Sequence, residues 1–409
     1  MPTDINTDLE PKIYISGEGL SFNNLQVAFS AKTDSELRND YYLFKLIGKR
    51  WLVNAAPLFV NLALRLRLPI KGIIRATAFK HFCGGESISD CAQTVKQLYK
   101  YKIGSILDYS VEGEEKEENF NKTADEIIAT INRAKGDPAI PFCVFKPTGL
   151  ARFSMLQKMS NTDNLDSDEF EESTRIYDRI NKICKAAAEN NVRIFIDAEE
   201  SWIQKAIDDI ACRMMMQYNK QKPVVYNTIQ LYRTDRLEYL KKSVDHVVKN
   251  NYIYGIKLVR GAYMEMERTR AAKLGYTSPI QPDKISCDRD FDEALHFCIN
   301  KLEYVAFCAG THNEESSMLL VNLMKLNNIP HNHSFIYFSQ LLGMSDHISY
   351  NLAAAGYNVV KYVPYGPVDS VLPYLIRRAQ ENTSMSGQMS RELGLIVAER
   401  ARRKKLKQE

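Results

Sequence analysis

The sequence predicts an α/β fold, a (β/α)8 TIM-like barrel with an N-terminal helical arm and a C-terminal basic helical tail. Three observations lead there. Beyond residue 100, short β-rich runs alternate with helical stretches, which implies a parallel sheet with right-handed crossovers. The runs number eight, and the segment holding them is roughly 280 residues long, the size of one such barrel. A doubly wound open sheet would need a Gly-x-Gly-x-x-Gly turn after an early strand, and neither Gly84-Gly85 nor Gly17-Glu-Gly19 fits that fingerprint.

Residues 1–100 form the arm. Helix-period apolar positions run through 22–46 and 51–66, and a capped amphipathic helix opens near Ser87. The barrel is assigned to 101–385. Its strands are expected near 103–109, 141–146, 192–197, 224–230, 254–259, 304–309, 334–339 and 357–363. Helical patterns at 173–189, 201–219, 234–249, 291–302 and 314–326 lie between them. The stretch 161–172 (NTDNLDSDEFEE) is acidic and insert-like. The tail, 386–409, carries basic residues at 400, 402, 403, 404, 405 and 407. It reads either as a solvated, fraying helix end or as an electrostatic attachment to an anionic membrane surface.

Bulk composition narrows the function classes. Fifty-four basic and 50 acidic residues give a net charge of +4, too balanced for nucleic acid to be the main partner. The eight cysteines form no CxxC pair and no zinc spacing, so no metal site is expected; they read as reduced, buried thiols of a cytosolic protein. His331-x-His333 lacks acid or thiol ligands nearby and reads as a loop or strand-edge pair, and Met214-Met-Met216 as helix packing. The polar, acidic start lacks the features of a secretory signal or transit peptide, and no run of 18 apolar residues occurs, so no transmembrane segment is expected. The expected location is cytoplasmic, with peripheral contact to the inner face of a membrane through the tail as an option.

In a barrel of this type the chemistry sits at the C-terminal ends of the strands. Polar residues break the apolar runs there: Asp108, Lys146, Asp197, Gln230, Lys257 with Arg260, Thr311-His312-Asn313, Gln340 and Tyr362. Buried charges are costly unless paired or facing a ligand, so strand after strand ending this way implies a shared polar pocket. After the last strand, Asp369 or Ser370 can cap a helix with Pro373 in its first turn. Tyr374, Arg377, Arg378 and Glu381 then share one face at i, i+3, i+4 and i+7. Two guanidiniums beside tyrosines suit a carboxylate, because each planar fork binds it in bidentate fashion; the competing reading is an Arg-Arg pair on an exposed helix.

Taken together, residues 100–385 resemble the proline dehydrogenase family. The resemblance rests on Lys146, Asp197-Ala-Glu-Glu, Gln230-Leu-Tyr, Lys257-Leu-Val-Arg-Gly-Ala-Tyr263, Thr311-His-Asn, Leu341-Leu-Gly-Met, Tyr362-Val-Pro-Tyr-Gly and Tyr374-Leu-Ile-Arg-Arg, with a weaker echo at Phe82-Cys-Gly-Gly-Glu86. It implies noncovalent FAD, oxidation of L-proline to Δ1-pyrroline-5-carboxylate, and transfer of electrons to a membrane quinone. It further implies that Arg377 and Arg378 bind the substrate carboxylate, with Lys146 beside it and Asp197 as the ionic partner of Lys146. Tyr362, Tyr374 and Leu341 would close around the pyrrolidine ring. Lys257 would lie near flavin N5 and Gln230 at the isoalloxazine edge. Arg260, Thr311, His312, Asn313 and Glu381 would meet the pyrophosphate, ribose and adenine.

Many bacterial relatives carry arginine in place of Lys257, and lysine offers a point charge rather than a fork. Three other readings remain open. A hydroxyproline dehydrogenase on the same scaffold would need room for a ring hydroxyl, where Tyr362 is bulky. A flavin-free lyase would use Lys146 or Lys257 as a Schiff base. A noncatalytic scaffold would bind proline without chemistry.

Overall fold

The computed structural model describes residues 19–49, 51, 72, 74–111, 113–162, 164–384 and 386–408, with 380–384 and 386–390 described by their backbone alone. The helical pattern expected at 51–66 lies, apart from Trp51, outside the described residues.

Among the described residues, eight strands close into one parallel barrel in sequence order. They are β1 (Ile103–Tyr109), β2 (Phe142–Phe145), β3 (Arg193–Ile196), β4 (Val225–Gln230), β5 (Tyr254–Val259), β6 (Val305–Gly310), β7 (Ile336–Leu341) and β8 (Val359–Tyr365). Each falls within two residues of its expected bounds. The first and last strands close the ring in parallel register from Ile103↔Val359 to Tyr109↔Tyr365. A helix follows every strand, from Glu117–Ala134 after β1 to Val368–Ser384 after β8.

Side chains on a strand alternate between faces, so every second residue points into the barrel. The inward series read Ile106–Asp108, Phe142–Val144–Lys146, Phe195–Asp197, Tyr226–Thr228–Gln230 and Val360–Tyr362. Each is apolar at the N-terminal end and polar at the C-terminal end. The lower layer packs as one aromatic cluster, with Phe142 stacked on Phe195 (centroids 4.5 Å) and Tyr226 edge-on to both. Gly255 makes room for it, because a β-carbon there would meet the carbonyl oxygen of Val225 at 2.3 Å and the Tyr226 ring at 2.9 Å. The guanidinium of Arg193 closes the floor over Phe142 and Tyr337. Outside the strands, a second apolar layer fills the space under the helices.

The acidic stretch 161–172 opens a helix. Asp166 caps Ser167–Asn190 and shares a reciprocal capping box with Glu169, while Glu169 and Glu172 pair with Lys158 and Arg152. Carboxylates at this end complement the helix dipole. The eight cysteines are free, and all except Cys212 are buried.

The arm holds the short helix Leu25–Ala28 and the helix Asp34–Ile47, which Thr33 caps with Glu36. The tail is packed against the arm along part of its length, and its last residues are exposed. It forms the helix Ser386–Leu406, whose Leu395 and Ile396 pack on Phe29, Leu37 and Phe44 of the arm. Its charges are largely engaged within the molecule. Arg402 and Arg403 pair with Glu399, Arg403 and Lys407 with Asp34, and Arg400 lies over the Tyr41 ring. Among the described residues, no helix is long and apolar enough to cross a membrane.

Glu314 clips this helix to the barrel, accepting from His347 Nε2 at 3.0 Å and Arg391 Nε at 2.8 Å. Burial alone would raise its carboxyl, but those two hydrogen bonds and the charges behind them bring it down to about 2. A carboxylate depressed on folding adds stability above its unfolded value, and that stability drains away as pH falls through the folded value. Glu314→Gln is therefore expected to lower Tm near neutrality and to flatten the decline of Tm between about pH 5 and pH 2.5. Thermal melts across that range check it; a slope equal to the parent's would remove Glu314 from the acid response.

Candidate active site

The inward polar residues meet at the C-terminal mouth of the barrel as a ladder of alternating charge. Lys146 Nζ lies 3.2 Å from Asp108 Oδ2 and 3.9 Å from Asp197 Oδ2. Asp197 accepts hydrogen bonds from Lys257 Nζ and, at 2.8 Å, from Tyr362 OH. Lys257 also donates to Tyr362 OH at 2.6 Å and stands over the Phe195 ring at 5.2 Å.

The expected ion pair of Lys146 with Asp197 is present at 3.9 Å, and two further partners join it: Asp108 lies nearer to Lys146, and Lys257 hydrogen-bonds Asp197. The reason is register: Asp108 pairs with Val144, one inward step below Lys146, so the two side chains converge. Asp108 stands two positions beyond the inward Ile106, and that spacing is the sequence signal that marks it for the ladder.

Burial alone would push the Asp197 carboxyl up, but the charges of Lys257 and Lys146 and its two hydrogen bonds hold it below the usual carboxylate range. Burial, and then the charge of Asp197, drive the Tyr362 hydroxyl well above its ordinary value. The ladder thus holds two carboxylates, two ammonium groups and a neutral phenol.

Beside it lies a second group of residues. Arg260 donates through Nε to Asp288 (2.7 Å), through one terminal nitrogen to Thr311 Oγ1 (2.7 Å) and through the other to Ser316 Oγ (2.9 Å). Gly261 follows at φ +136°, and a β-carbon there would strike the Tyr232 ring at 2.5 Å. Asn313 caps the helix Glu314–Leu326, accepting from Ser316 N at 3.0 Å. His312 Nδ1 lies 3.0 Å from Ser345 Oγ. Enclosure by protein, then the positive charges of Lys361, Arg378, His347 and Arg260, push its imidazole down to about 3. Gln230 is buried; its Nε2 donates to the Glu199 carbonyl at 3.0 Å, while its Oε1 has no hydrogen-bond partner.

The last barrel helix starts earlier than expected. Ser370 N and Val371 N already donate to the Pro367 carbonyl, so the helix runs Val368–Ser384 and places Pro373 inside it, beyond the first turn. Tyr374 and Arg378 are buried, and the Arg378 guanidinium lies 5.0 Å from the Tyr374 ring centroid. Arg377 is half-buried, and the side chain of Glu381 lies outside the described residues. Leu341 joins the two groups, touching the cluster of Tyr374 on one side and that of Tyr362 on the other.

The model of the proline dehydrogenase family matches residues 91–391. The chain belongs to the proline dehydrogenase family. It is 32% identical to proline dehydrogenase 1, mitochondrial, of Dictyostelium discoideum, over 92% of this chain and 74% of that protein. It is 39% identical to hydroxyproline dehydrogenase of Xenopus laevis, over 55% of this chain and 49% of that protein. The fold superposes on proline utilization A from Bdellovibrio bacteriovorus, inactivated by N-propargylglycine, with TM-score 0.68 and 19% identity, covering 87% of this chain and 38% of that one.

Family membership implies a flavin, and one feature of the site fits one: the buried Gln230 Oε1, which has no hydrogen-bond partner, is suited to a ring N–H. Among the described residues, no group of three or more His, Cys, Asp or Glu could hold a metal.

Removing one partner of a buried ion pair leaves the other charge uncompensated and costs about 3–5 kcal/mol, whereas neutralising both is milder. Lys257→Met should accordingly destabilise the protein in urea by about 3 kcal/mol or more. Adding Asp197→Asn should restore part of that loss; a double variant weaker than the single one would mean that Asp197 and Lys257 are not coupled.

Proposed function

We propose that this protein oxidises L-proline to Δ1-pyrroline-5-carboxylate with noncovalent FAD held at the barrel mouth, and passes the electrons to a quinone. The observation that carries the reading is the buried ladder Asp108–Lys146–Asp197–Lys257 closed by Tyr362, with Leu341 packed against the cluster of Tyr374 and the Arg378 guanidinium over the Tyr374 ring.

Because the ladder's charges balance, it offers an incoming carboxylate no surplus of positive charge. Arg377 and Arg378 supply that surplus from the last helix, with Lys146 beside them. Tyr362, Tyr374 and Leu341 set the position of the pyrrolidine ring. The Asp197 bridge fixes the Tyr362 phenol, so the ring meets a preorganised wall rather than a mobile side chain.

Lys257 would stand at the reactive part of the isoalloxazine and Gln230 at its edge. Arg260, Thr311, His312, Asn313 and Glu381 would hold the remainder of the nucleotide. The chemistry a bound flavin supplies is acceptance of hydride from the ring carbon beside nitrogen. A positive residue at that place favours the charge that develops there. A protonated amine resists loss of hydride, so the neutral amine reacts, and activity is expected to rise with pH through the amine's ionisation.

The decisive experiment is the visible spectrum of the purified protein before and after anaerobic L-proline. Bleaching of a flavin band is expected. Absence of any flavin band, together with inactivation by borohydride in the presence of substrate, would favour a Schiff-base lyase on Lys146 or Lys257. Arg377→Ala should raise KM for proline roughly 30- to 5000-fold, the loss of about 2–5 kcal/mol of charge-assisted binding. Parent-like proline kinetics in that variant would remove Arg377 from the carboxylate site.

The likeness to a hydroxyproline dehydrogenase keeps 4-hydroxyproline as a second substrate to measure. Tyr362 fills the space a ring hydroxyl would need, and its own hydroxyl is committed to Asp197 and Lys257. A higher kcat/KM for proline than for hydroxyproline is therefore expected; the reverse order would reassign the substrate.

A further inference from the structure

The loop after β7 ends at Ser345, whose backbone is left-handed at φ 51° and ψ 42°. Two hydrogen bonds hold it there: Ser345 N and Oγ both donate to Glu392 Oε1, at 2.6 and 3.1 Å. Glu392 is buried on the C-terminal helix, one residue beyond the segment that matches the family model. The same Ser345 Oγ lies 3.0 Å from His312 Nδ1.

Proton counting then fixes the histidine. A backbone N–H can only donate, so Glu392 Oε1 accepts from it; burial raises the Glu392 carboxyl, and a proton taken up there sits on Oε2, since Oε1 already faces two donors. The single hydroxyl proton of Ser345 is directed to that same oxygen. Ser345 Oγ can therefore meet Nδ1 only as an acceptor, and Nδ1 carries the hydrogen. In a neutral imidazole the other nitrogen, Nε2, is then the lone-pair site. His312 is neutral across the ordinary pH range, because its surroundings push it down to about 3.

We infer that Glu392 is a positioning residue which, through Ser345, locks His312 as the Nδ1–H tautomer and presents Nε2 as a hydrogen-bond acceptor for a hydroxyl-bearing ligand. Resting on the flavin reading, this assigns His312 a sugar or sugar-alcohol hydroxyl of the nucleotide rather than its phosphate. Ionised phosphate oxygens only accept, and Nε2 has no proton to offer them.

The test is ring-nitrogen NMR of the full-length protein as purified, labelled with 15N-histidine, with His312 assigned by the signal lost in His312→Gln. The parent should show a protonated Nδ1 and an unprotonated Nε2. Glu392→Gln retains an acceptor oxygen and should preserve that pattern. Glu392→Ala should shift it toward the Nε2–H form. Ser345→Gly should do the same, and it cannot fail through backbone strain, since glycine adopts a positive φ freely. A parent with protonated Nε2, or a Ser345→Gly protein with the parent's pattern, overturns the relay.

The ligand arm is the Kd for FAD, expected to rise roughly fivefold or more in Ser345→Gly, the equivalent of one hydrogen bond misdirected. An unchanged Kd alongside a switched tautomer would remove the hydroxyl assignment. A parent that binds no FAD would instead overturn the flavin reading, leaving the tautomer result to stand by itself.

Discussion

Asp197 lies between two ammonium groups inside a barrel whose lower half is aromatic. Bringing that carboxylate out of water is unfavourable by several kcal/mol, offset only if its partners are held at hydrogen-bonding distance. Each partner comes from a different strand, so the whole ring must be in register for any one charge to be tolerated. Gly255 belongs to the same constraint, since it lets Tyr226 fill the floor beneath Lys257. The mouth is thus polar because the ladder is balanced, and it stays balanced only while the apolar floor keeps its shape.

A second network braces the other side of the mouth from outside the barrel. Lys361, fully buried on β8, donates to the Met344 carbonyl at 2.5 Å and to Asp346 at 2.7 Å. His81 of the arm links Asp40, through Nδ1 at 2.8 Å, to the Gly343 carbonyl, through Nε2 at 2.8 Å. With Glu392 on Ser345, the loop after β7 is gripped by the strand beneath it, by the arm and by the C-terminal helix. That loop follows Leu341, so segments remote in sequence determine where the wall between Tyr362 and Tyr374 stands.

The strands were legible because their inward and outward faces are both apolar at the lower end, giving compact β-branched and aromatic runs between helical periods. The polar strand ends were legible for the same reason: Lys146, Asp197 and Lys257 interrupt runs that are otherwise buried. The full set of pairings was not: Asp108 beside Lys146 and Lys257 on Asp197 depend on the stagger between strands, and sequence spacing is silent on stagger. Pro373 misled the placement of the last helix: Pro367 supplies the first carbonyl, so the helix begins before either residue that looked like a cap. The packing of the basic tail was not legible from composition, since its acidic partners, Asp34 and Glu399, are split between the far end of the chain and its own helix. Ser345 and Glu392 carried no signal, as neither sits at a strand end.

The pairing of β1 with β8 joins segments more than 250 residues apart in the chain. A seam of that kind is completed late, since the loop it closes includes nearly all of the catalytic chain and its closure entropy must be met before the contacts return anything. During synthesis β1 therefore waits as an open edge until Tyr365 has emerged, and the arm waits longer for the helix that ends at Leu406. The nascent chain spends that interval with an unpaired strand exposed, the period in which it depends most on chaperones and is most open to proteolysis.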